Sequence, residues 1–323
     1  MGSPSYISVI GAGRWGQALA WLMAIQSGRV RLHARSDSVW CLSNDEKRFK
    51  NLPVVVKSDL RWALRSDIIL VAINSSKLGE LIAEIKGLKL DLHEKTFILC
   101  MKGMGPEGQF LHELWWRELP FSNVAIMGGP CQPDQLYNGK KAILGIATEN
   151  ETMAINLCGR FSGSLVTFEP FTAINGAAVC GASKNMLGFA GGMLDAFGLT
   201  KKKPLLEKLF MVEAGWMIKA LGDDASVVDG LFYAEDNKVT LYYSGSRNVA
   251  SGRKLVKDGA LTSCEAVDSA GSLVQRMRLL GICEKGTPNM HGYLASIISC
   301  GYAPLKQGFL DHILKVASEY GVE

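Results

Sequence analysis

The sequence predicts an α/β protein in which a doubly wound, mostly parallel sheet is followed by an all-α domain. Up to residue 171, short apolar runs alternate with helical patterns, as in a sheet whose two faces are covered by helices. After about residue 172 only helical patterns follow. The chain of 323 residues has room for about two domains. We therefore place the two domains at 1–172 and 173–323.

The strands are predicted from apolar runs that end in glycine or in polar residues. An amphipathic helix that stops at Gly28 separates the first two strands. Right-handed crossovers place the strand ends and their loops on one edge of the sheet, where ligands bind. The runs lie at 6–13, 29–37, 67–76, 96–104, 124–130, 141–150 and 164–171.

The second half of the chain shows apolar residues at helical spacing and no further strand pattern. We therefore expect a helical domain after the sheet. The predicted helices lie at 175–199, 204–222, 248–259, 266–281, 294–302 and 305–321.

The composition excludes several classes of protein. Apolar residues make up 48% of the chain and charged residues 20%, which is typical of a globular protein rather than a disordered one. The net charge of +4 is mild and is not concentrated in a long basic tail, so we expect no nucleic-acid partner. The densest basic run, Lys201 to Lys203, is interpreted as a solvated loop.

The eight cysteines form no C-x-x-C pair, and several lie inside apolar runs. This pattern indicates reduced thiols and no zinc site. No run reaches the roughly 18 apolar residues of a membrane helix, and no leader pattern precedes the first strand. We therefore expect a cytoplasmic protein that is not embedded in a membrane. A homodimer is compatible with the sequence.

The hexapeptide GAGRWG, Gly11 to Gly16, lies between the first strand and a helix. It matches the G-x-G-x-x-G pattern of dinucleotide-binding Rossmann domains. There Gly11 permits the tight turn, Gly13 lets a pyrophosphate approach the backbone, and Gly16 lets the helix pack on the strand. The motif predicts an NAD or NADP site; the alternative is a glycine turn without a ligand.

The residue at the end of the second strand influences the choice between NAD and NADP. The Rossmann pattern expects an acid there for the adenosine ribose, whereas this chain has Arg35, with Asp37 two residues later. An arginine can hold a 2′-phosphate, so NADP is an option beside NAD. Alternatively, Arg35 is an exposed side chain without a ligand.

Lys184 and Asn185 interrupt a segment of small and apolar residues, GASKNMLGFAGGM. A buried ammonium is costly unless it is paired or loses its proton. The segment alone leaves two interpretations open, which are a functional buried lysine and a lysine that reaches water from a helix end.

Two further basic residues are candidates for a site. Lys102 follows an apolar strand, so we expect it at the ligand-binding edge of the sheet. Arg247 follows a serine–glycine turn that could offer backbone N–H groups beside the guanidinium, a combination that suits a phosphate. On their own, both residues could equally be surface charges.

Several motifs follow one another along the chain: GAGRWG, MKG, GGP and GASKN, then a D-x-x-x-T before SRN and a glutamate in the next helix. In order and spacing, this series resembles the NAD(P)-dependent glycerol-3-phosphate dehydrogenase family. The resemblance implies a Rossmann domain, a helical substrate domain and reversible reduction of dihydroxyacetone phosphate to sn-glycerol 3-phosphate. It also implies that Lys184 is the proton donor and acceptor, with Lys102 near the substrate and Asp236 supporting the lysine.

The same resemblance implies the other contacts. For the substrate it adds Gly129, Thr240 and the phosphate loop Ser246, Arg247 and Asn248. For the cofactor it implies Gly11, Gly13, Arg14, Trp15, Gly16, Arg35, Lys102, Pro133, Arg247 and Glu265.

The chain departs from the family pattern around these positions. It has GGPCQP at 128–133 for S-G-P-[ST]-F-A, EDN at 235–237 for G-D-L, CEA at 264–266 for V-E-G and INS at 73–75 for V-P-S; Val249 replaces an arginine. Two alternatives therefore stay open. One is a related dehydrogenase for another small phosphorylated or hydroxy-acid substrate, and the other is an NAD(P)-binding redox sensor without turnover.

Overall fold

The computed structural model describes residues 6–35, 49–243, 245–282 and 289–322. The chain forms two compact units. Unit 1 comprises Met1–Met101 and Leu111–Ile174, and unit 2 comprises Lys102–Phe110 and Asn175–Glu323. The segment 102–110, which the sequence placed in the first domain, thus belongs to the second unit.

Unit 1 is built on one sheet of eight strands in the order β3-β2-β1-β4-β5-β6-β7-β8. Every neighbouring pair is parallel except β6 and β7. This confirms the predicted fold class of a doubly wound, mostly parallel sheet. The strands are β1 Ile7–Ile10, β2 Val30–His33, β3 Val54–Lys57, β4 Ile68–Val71, β5 Thr96–Leu99, β6 Asn123–Gly128, β7 Ala142–Ala147 and β8 Val166–Phe171.

The strand β3 was not predicted. It lies at the edge of the sheet and pairs only with β2, and its residues alternate between half-buried and exposed. Strands buried on both faces are typically marked by longer apolar runs, and this short, half-exposed edge strand lacks that signal.

The helices of unit 1 cover the sheet, and its hydrophobic core includes Leu19, Leu22 and Leu32 of α1 and β2, which are fully buried. These helices are α1 Arg14–Gln26, α2 Leu60–Ala63, α3 Leu78–Gly87, α4 Leu111–Glu118, α5 Pro133–Tyr137 and α6 Glu151–Phe161.

Apart from short 3₁₀ turns, the described elements of unit 2 are helices, as predicted. They are α7 Ile174–Ala196, α8 Lys203–Ala220, α9 Ala234–Tyr242, α10 Arg247–Asp258, α11 Glu265–Leu279, α12 Met290–Cys300 and α13 Lys306–Tyr320. Within the described residues, no helix is both long enough and apolar enough to cross a membrane.

The small residues of α7 allow other helices to approach its backbone. A Cβ atom at Gly192 would lie 2.1 Å from the carbonyl oxygen of Val249 in α10. In the opposite direction, a Cβ atom at Gly252 of α10 would lie 2.0 Å from the carbonyl oxygen of Phe189. Only glycine fits at these two positions, so the glycines fix the contact between α7 and α10.

Candidate active site

Two glycines of the GAGRWG loop are required for packing within unit 1, whether or not a ligand binds. Gly11 has φ +105°, and a Cβ atom there would lie 2.4 Å from the carbonyl oxygen of Ala72. A Cβ atom at Gly16 would lie 1.9 Å from the carbonyl oxygen of Gly11. These glycines let β1, the turn and α1 pack closely.

Gly13 is different, because no atom lies within 4 Å of the position that its Cβ would occupy, and its φ of −68° suits any residue. It is the N-cap of α1 and has no side-chain cap, and the first turn holds no acidic residue. The open space beside Gly13 therefore lies at a helix N-terminus, a position that binds phosphate well. This arrangement fits the pyrophosphate of a dinucleotide.

The other predicted cofactor residues around this loop have varied surroundings. Arg14 is exposed and forms an ion pair of 2.8 Å with Asp134 in α5, while Trp15 packs against the core of unit 1. Pro133 is the first residue of α5, a position where a missing N–H costs no intrahelical bond. Arg35 is exposed and follows the end of β2.

Asp37 lies outside the described residues. Gly129 follows β6 with φ +133°, and a Cβ atom there would lie 3.2 Å from the carbonyl oxygen of Ile143. The backbone conformation of this loop therefore requires glycine.

Unit 2 brings three predicted catalytic residues together. Asp236, on α9, forms ion pairs through one carboxylate oxygen with Lys184 and through the other with Lys102. The side chain of Lys184 is only 6% exposed and that of Asp236 only 2%, while Lys102 is 27% exposed. Lys184 is thus a buried, paired lysine and does not reach water from the helix end.

Burial lowers the pKa of Lys184 to about 7. The charge of Asp236 opposes this decrease, and the nearby charge of Lys102 adds to it. A lysine with a pKa near neutrality can both give and take a proton under physiological conditions. The site thus has the properties of a general acid and base.

Gly181 and Gly188 show which side chains lie against α7 near Lys184. A Cβ atom at Gly181 would be 3.4 Å from Cγ of Lys102. A Cβ atom at Gly188 would be 3.1 Å from Cγ2 of Thr240 and 3.3 Å from Cβ of Asn248. Lys102, Thr240 and Asn248 therefore lie along one side of the helix that carries Lys184.

The buried Asn248 is fixed by two hydrogen bonds. Its Nδ2 donates to Oδ1 of Asn185 at 3.0 Å, and its Oδ1 accepts from the N–H of Ala266 at 3.1 Å. The Nδ2 of Asn185 is buried and has no hydrogen-bond partner. A buried amide group without a partner is costly, so this group suits a ligand acceptor. Asn185 interrupts the apolar segment beside Lys184, but it was not among the predicted site residues.

The predicted phosphate loop begins α10. Ser246 is the N-cap, and its Oγ accepts a hydrogen bond from the N–H of Val249. The side chain of Arg247 is 70% exposed and forms an ion pair with Glu265 at the start of α11. An anion that reaches this loop meets a helix N-terminus and a guanidinium.

The described part of the chain contains no group of three or more His, Cys, Asp or Glu residues that could hold a metal ion.

Two family models match the chain. The model for the N-terminus of NAD-dependent glycerol-3-phosphate dehydrogenase covers residues 6–154, and that for its C-terminus covers residues 173–283. The glycerol-3-phosphate dehydrogenase [NAD(P)+] of Agrobacterium fabrum is 30% identical over 280 residues, which are 83% of each chain. The chain belongs to this family. The dehydrogenase of the same name from Deinococcus radiodurans is 28% identical over 290 residues, covering 87% of this chain and 84% of the relative.

Solved structures of family members share the fold. The glycerol-3-phosphate dehydrogenase of Coxiella burnetii superposes with a TM-score of 0.83 at 22% identity and covers 96% of this chain and 98% of its own. The enzyme of Saccharomyces cerevisiae gives a TM-score of 0.76 at 17% identity, with coverage of 96% and 99%. At this level of identity the two structures support the fold alone.

Proposed function

We propose that the protein is an NAD(P)-dependent glycerol-3-phosphate dehydrogenase that interconverts dihydroxyacetone phosphate and sn-glycerol 3-phosphate. The observation that carries this proposal is the buried Lys184, which is paired with Asp236 beside Lys102. Membership of the dehydrogenase family supports the substrate and the cofactor.

The chemistry requires a proton for the oxygen of the ketone. A nicotinamide cofactor, when bound, would supply or accept the hydride. Lys184 in its protonated form donates to the oxygen as negative charge develops there, and in the reverse direction its neutral amine accepts the hydroxyl proton. The carboxylate of Asp236 orients the amine of Lys184. Lys102 shares that carboxylate and adds positive charge near the developing alkoxide.

We assign the phosphate of the substrate to the residues at the start of α10. Arg247 would contribute a charge-assisted contact and Ser246 would contribute the helix N-terminus. Asn185, with its unpartnered Nδ2, and Thr240 would contact the substrate beside them. Asn248 would hold Asn185 in place through their hydrogen bond, and Gly129 stays a predicted substrate contact.

We assign the pyrophosphate of the cofactor to Gly11, Gly13 and Gly16, because the space beside Gly13 and the uncapped N-terminus of α1 fit it. Arg35 would favour NADP if it meets the 2′-phosphate. The further cofactor contacts that remain predictions are Arg14, Trp15, Lys102, Pro133, Arg247 and Glu265.

A steady-state assay tests the proposal. Purified protein should oxidise NADH or NADPH when dihydroxyacetone phosphate is added, and the product should be sn-glycerol 3-phosphate. Turnover only with another small phosphorylated or hydroxy-acid substrate would favour the related dehydrogenase. Cofactor binding without turnover of any such substrate would favour the redox sensor.

We also propose that the protein works in the cytoplasm, because its described cysteines are free and most are buried. We expect no nucleic-acid partner. The homodimer stays a prediction, which light scattering tests by a solution mass of twice 35.1 kDa. Cell fractionation tests the location.

A further inference from the structure

A chain of buried hydrogen bonds lies next to the Lys184 site in unit 2. The Oγ of Ser183 lies 2.6 Å from the hydroxyl of Tyr233 and 2.8 Å from Nε2 of His291. On its other side, Nδ1 of His291 contacts Oε2 of Glu213, whose Oε1 accepts from the hydroxyl of Tyr320 at 2.9 Å. This hydrogen-bond chain connects α7, α8, α12 and α13 to the residue that precedes α9.

The order of Ser183, His291 and Glu213 is that of a hydrolase triad. However, all three residues are 0% exposed, and the hydroxyl of Tyr233 already contacts the serine oxygen. A substrate carbonyl has no access to a nucleophile in this position. The hydrogen-bond chain therefore positions other groups and does not attack a substrate.

The hydrogen bonds have one consistent direction. Glu213 accepts the backbone N–H groups of Met290 at 2.6 Å and His291 at 3.1 Å, as an ionised carboxylate does. We assign the proton of a neutral His291 ring to Nδ1, which faces this carboxylate, and Nε2 is then an acceptor. Ser183 donates to Nε2, and Tyr233 donates to Ser183. Each hydroxyl proton thus has one partner, which fixes the rotamer of the serine.

The Tyr233–Ser183 bond joins the same two helices as the ion pair of the site. Ser183 directly precedes Lys184 on α7, and Tyr233 is the N-cap of α9, which carries Asp236. The carbonyl of Tyr233 accepts the N–H of Asn237 at 2.7 Å, so the tyrosine is continuous with the first turn of α9. Two adjacent links therefore fix the rotation of α9 against α7.

We propose that Tyr233 and Ser183 are positioning residues, anchored by His291 and Glu213, which set the approach of Asp236 to Lys184. Without the Tyr233–Ser183 bond, only one of these two links between α7 and the start of α9 remains, namely the flexible side chain of Lys184. The consequence for turnover rests on the function proposed above, whereas the geometric link does not.

The test compares Tyr233→Phe with Tyr320→Phe. Both changes remove one hydroxyl from the same hydrogen-bond chain, but only the first breaks the link between α7 and α9. We expect Tyr233→Phe to lower kcat about 5- to 50-fold, with KM and the Kd of NAD(P)H within about twofold. Tyr320→Phe should leave kcat within about twofold. Ser183→Ala breaks the same bond without changing the tyrosine ring, and it replaces Tyr233→Phe if that variant does not fold.

A second readout does not depend on turnover. In protein labelled with [¹³Cε]lysine, the Lys184 signal is assigned by its loss in Lys184→Met and should titrate in the parent at about pH 7. Asp236 and Lys102 are the charged groups that face it. Because Asp236 raises the pKa of Lys184, loosening their contact should lower the midpoint by about 0.5 pH units in Tyr233→Phe and not in Tyr320→Phe.

The outcomes separate the two proposals. If the parent protein fails to reduce dihydroxyacetone phosphate, the proposed function fails, and the titration alone still decides the positioning role. Equal midpoints in Tyr233→Phe and the parent overturn the positioning role, as do equal losses of kcat in Tyr233→Phe and Tyr320→Phe. A lowered kcat and midpoint confined to Tyr233→Phe and Ser183→Ala support it.

Discussion

Lys184 of α7 forms a buried ion pair with Asp236 of α9, across a sequence separation that no local pattern connects. Removing one partner of a buried ion pair usually leaves an uncompensated charge. Here the second carboxylate oxygen of Asp236 also pairs with Lys102, so the carboxylate keeps a cation if Lys184 is replaced. This arrangement allows the proton-transfer role of Lys184 to be tested without a large loss of stability.

We predict that Lys184→Met lowers kcat by about 10²- to 10⁴-fold, because the proton donor is lost. Methionine retains the apolar stem, and Asp236 remains paired with Lys102. The melting temperature should therefore fall by no more than about 4 °C. The affinity for NAD(P)H should persist. The matched control is Lys203→Met, which removes the buried partner of Asp195 and should cost stability without changing kcat. A parental kcat in Lys184→Met would contradict the role.

The pH profile should follow the titration of Lys184. The protonated amine donates during reduction, so kcat for dihydroxyacetone phosphate should fall as the pH rises through about 7. The neutral amine accepts during oxidation, so kcat for sn-glycerol 3-phosphate should rise over the same range. Lys102→Met should raise the midpoint, because a neighbouring cation that lowers the pKa of Lys184 is removed. Identical pH profiles in the two directions would exclude Lys184 as the titrating group.

Replacing Arg247 should weaken substrate binding. A charge-assisted contact with phosphate contributes about 1.5–3 kcal/mol, so Arg247→Ala should raise KM for dihydroxyacetone phosphate by about 10- to 150-fold. Arg253→Ala is the control on the same helix, since Arg253 pairs with Asp195. A change in KM of less than about twofold for Arg247→Ala would show that another group binds the phosphate.

Arg35 should decide between the two cofactors if it meets the 2′-phosphate. Arg35→Ala should then weaken the binding of NADPH by at least about tenfold more than the binding of NADH, as measured by fluorescence titration. Arg29→Ala, an exposed arginine just before β2, should affect neither cofactor. If Arg35→Ala weakens both cofactors equally or neither of them, Arg35 does not recognise the 2′-phosphate.

The glycines of the nucleotide loop should respond differently to alanine. The Cβ atom added in Gly13→Ala would have no protein atom within 4 Å. The melting temperature should therefore stay near the parental value, while NAD(P)H binding weakens at least about tenfold. Gly16→Ala places a Cβ atom 1.9 Å from a carbonyl oxygen and should destabilise unit 1 itself. Unchanged cofactor affinity in Gly13→Ala would place the pyrophosphate elsewhere.

Much of the fold could be predicted because its signals are local. Apolar runs gave seven of the eight strands, and GAGRWG placed a tight turn between β1 and α1 because only glycine tolerates the contacts at Gly11 and Gly16. The elements that were missed include β3 and α9. The edge strand β3 is only half-buried, and α9, with the sequence AEDNKVTLY, has no apolar stripe. Asp236 and Asn237 of α9 are buried by contacts with other helices, which a helical period does not reveal.

The sequence by itself determined the fold class, the nucleotide loop and, through the family resemblance, the identities of Lys184, Asp236 and Lys102. It could not decide whether Lys184 is buried or reaches water, because a lysine in a segment of small residues is compatible with both. Only the tertiary structure decided this. Packing of α9 and α10 against the glycines of α7 removes water from the ammonium and supplies the carboxylate of Asp236. Desolvation and that long-range pairing, rather than any local pattern, set the pKa of Lys184 near neutrality.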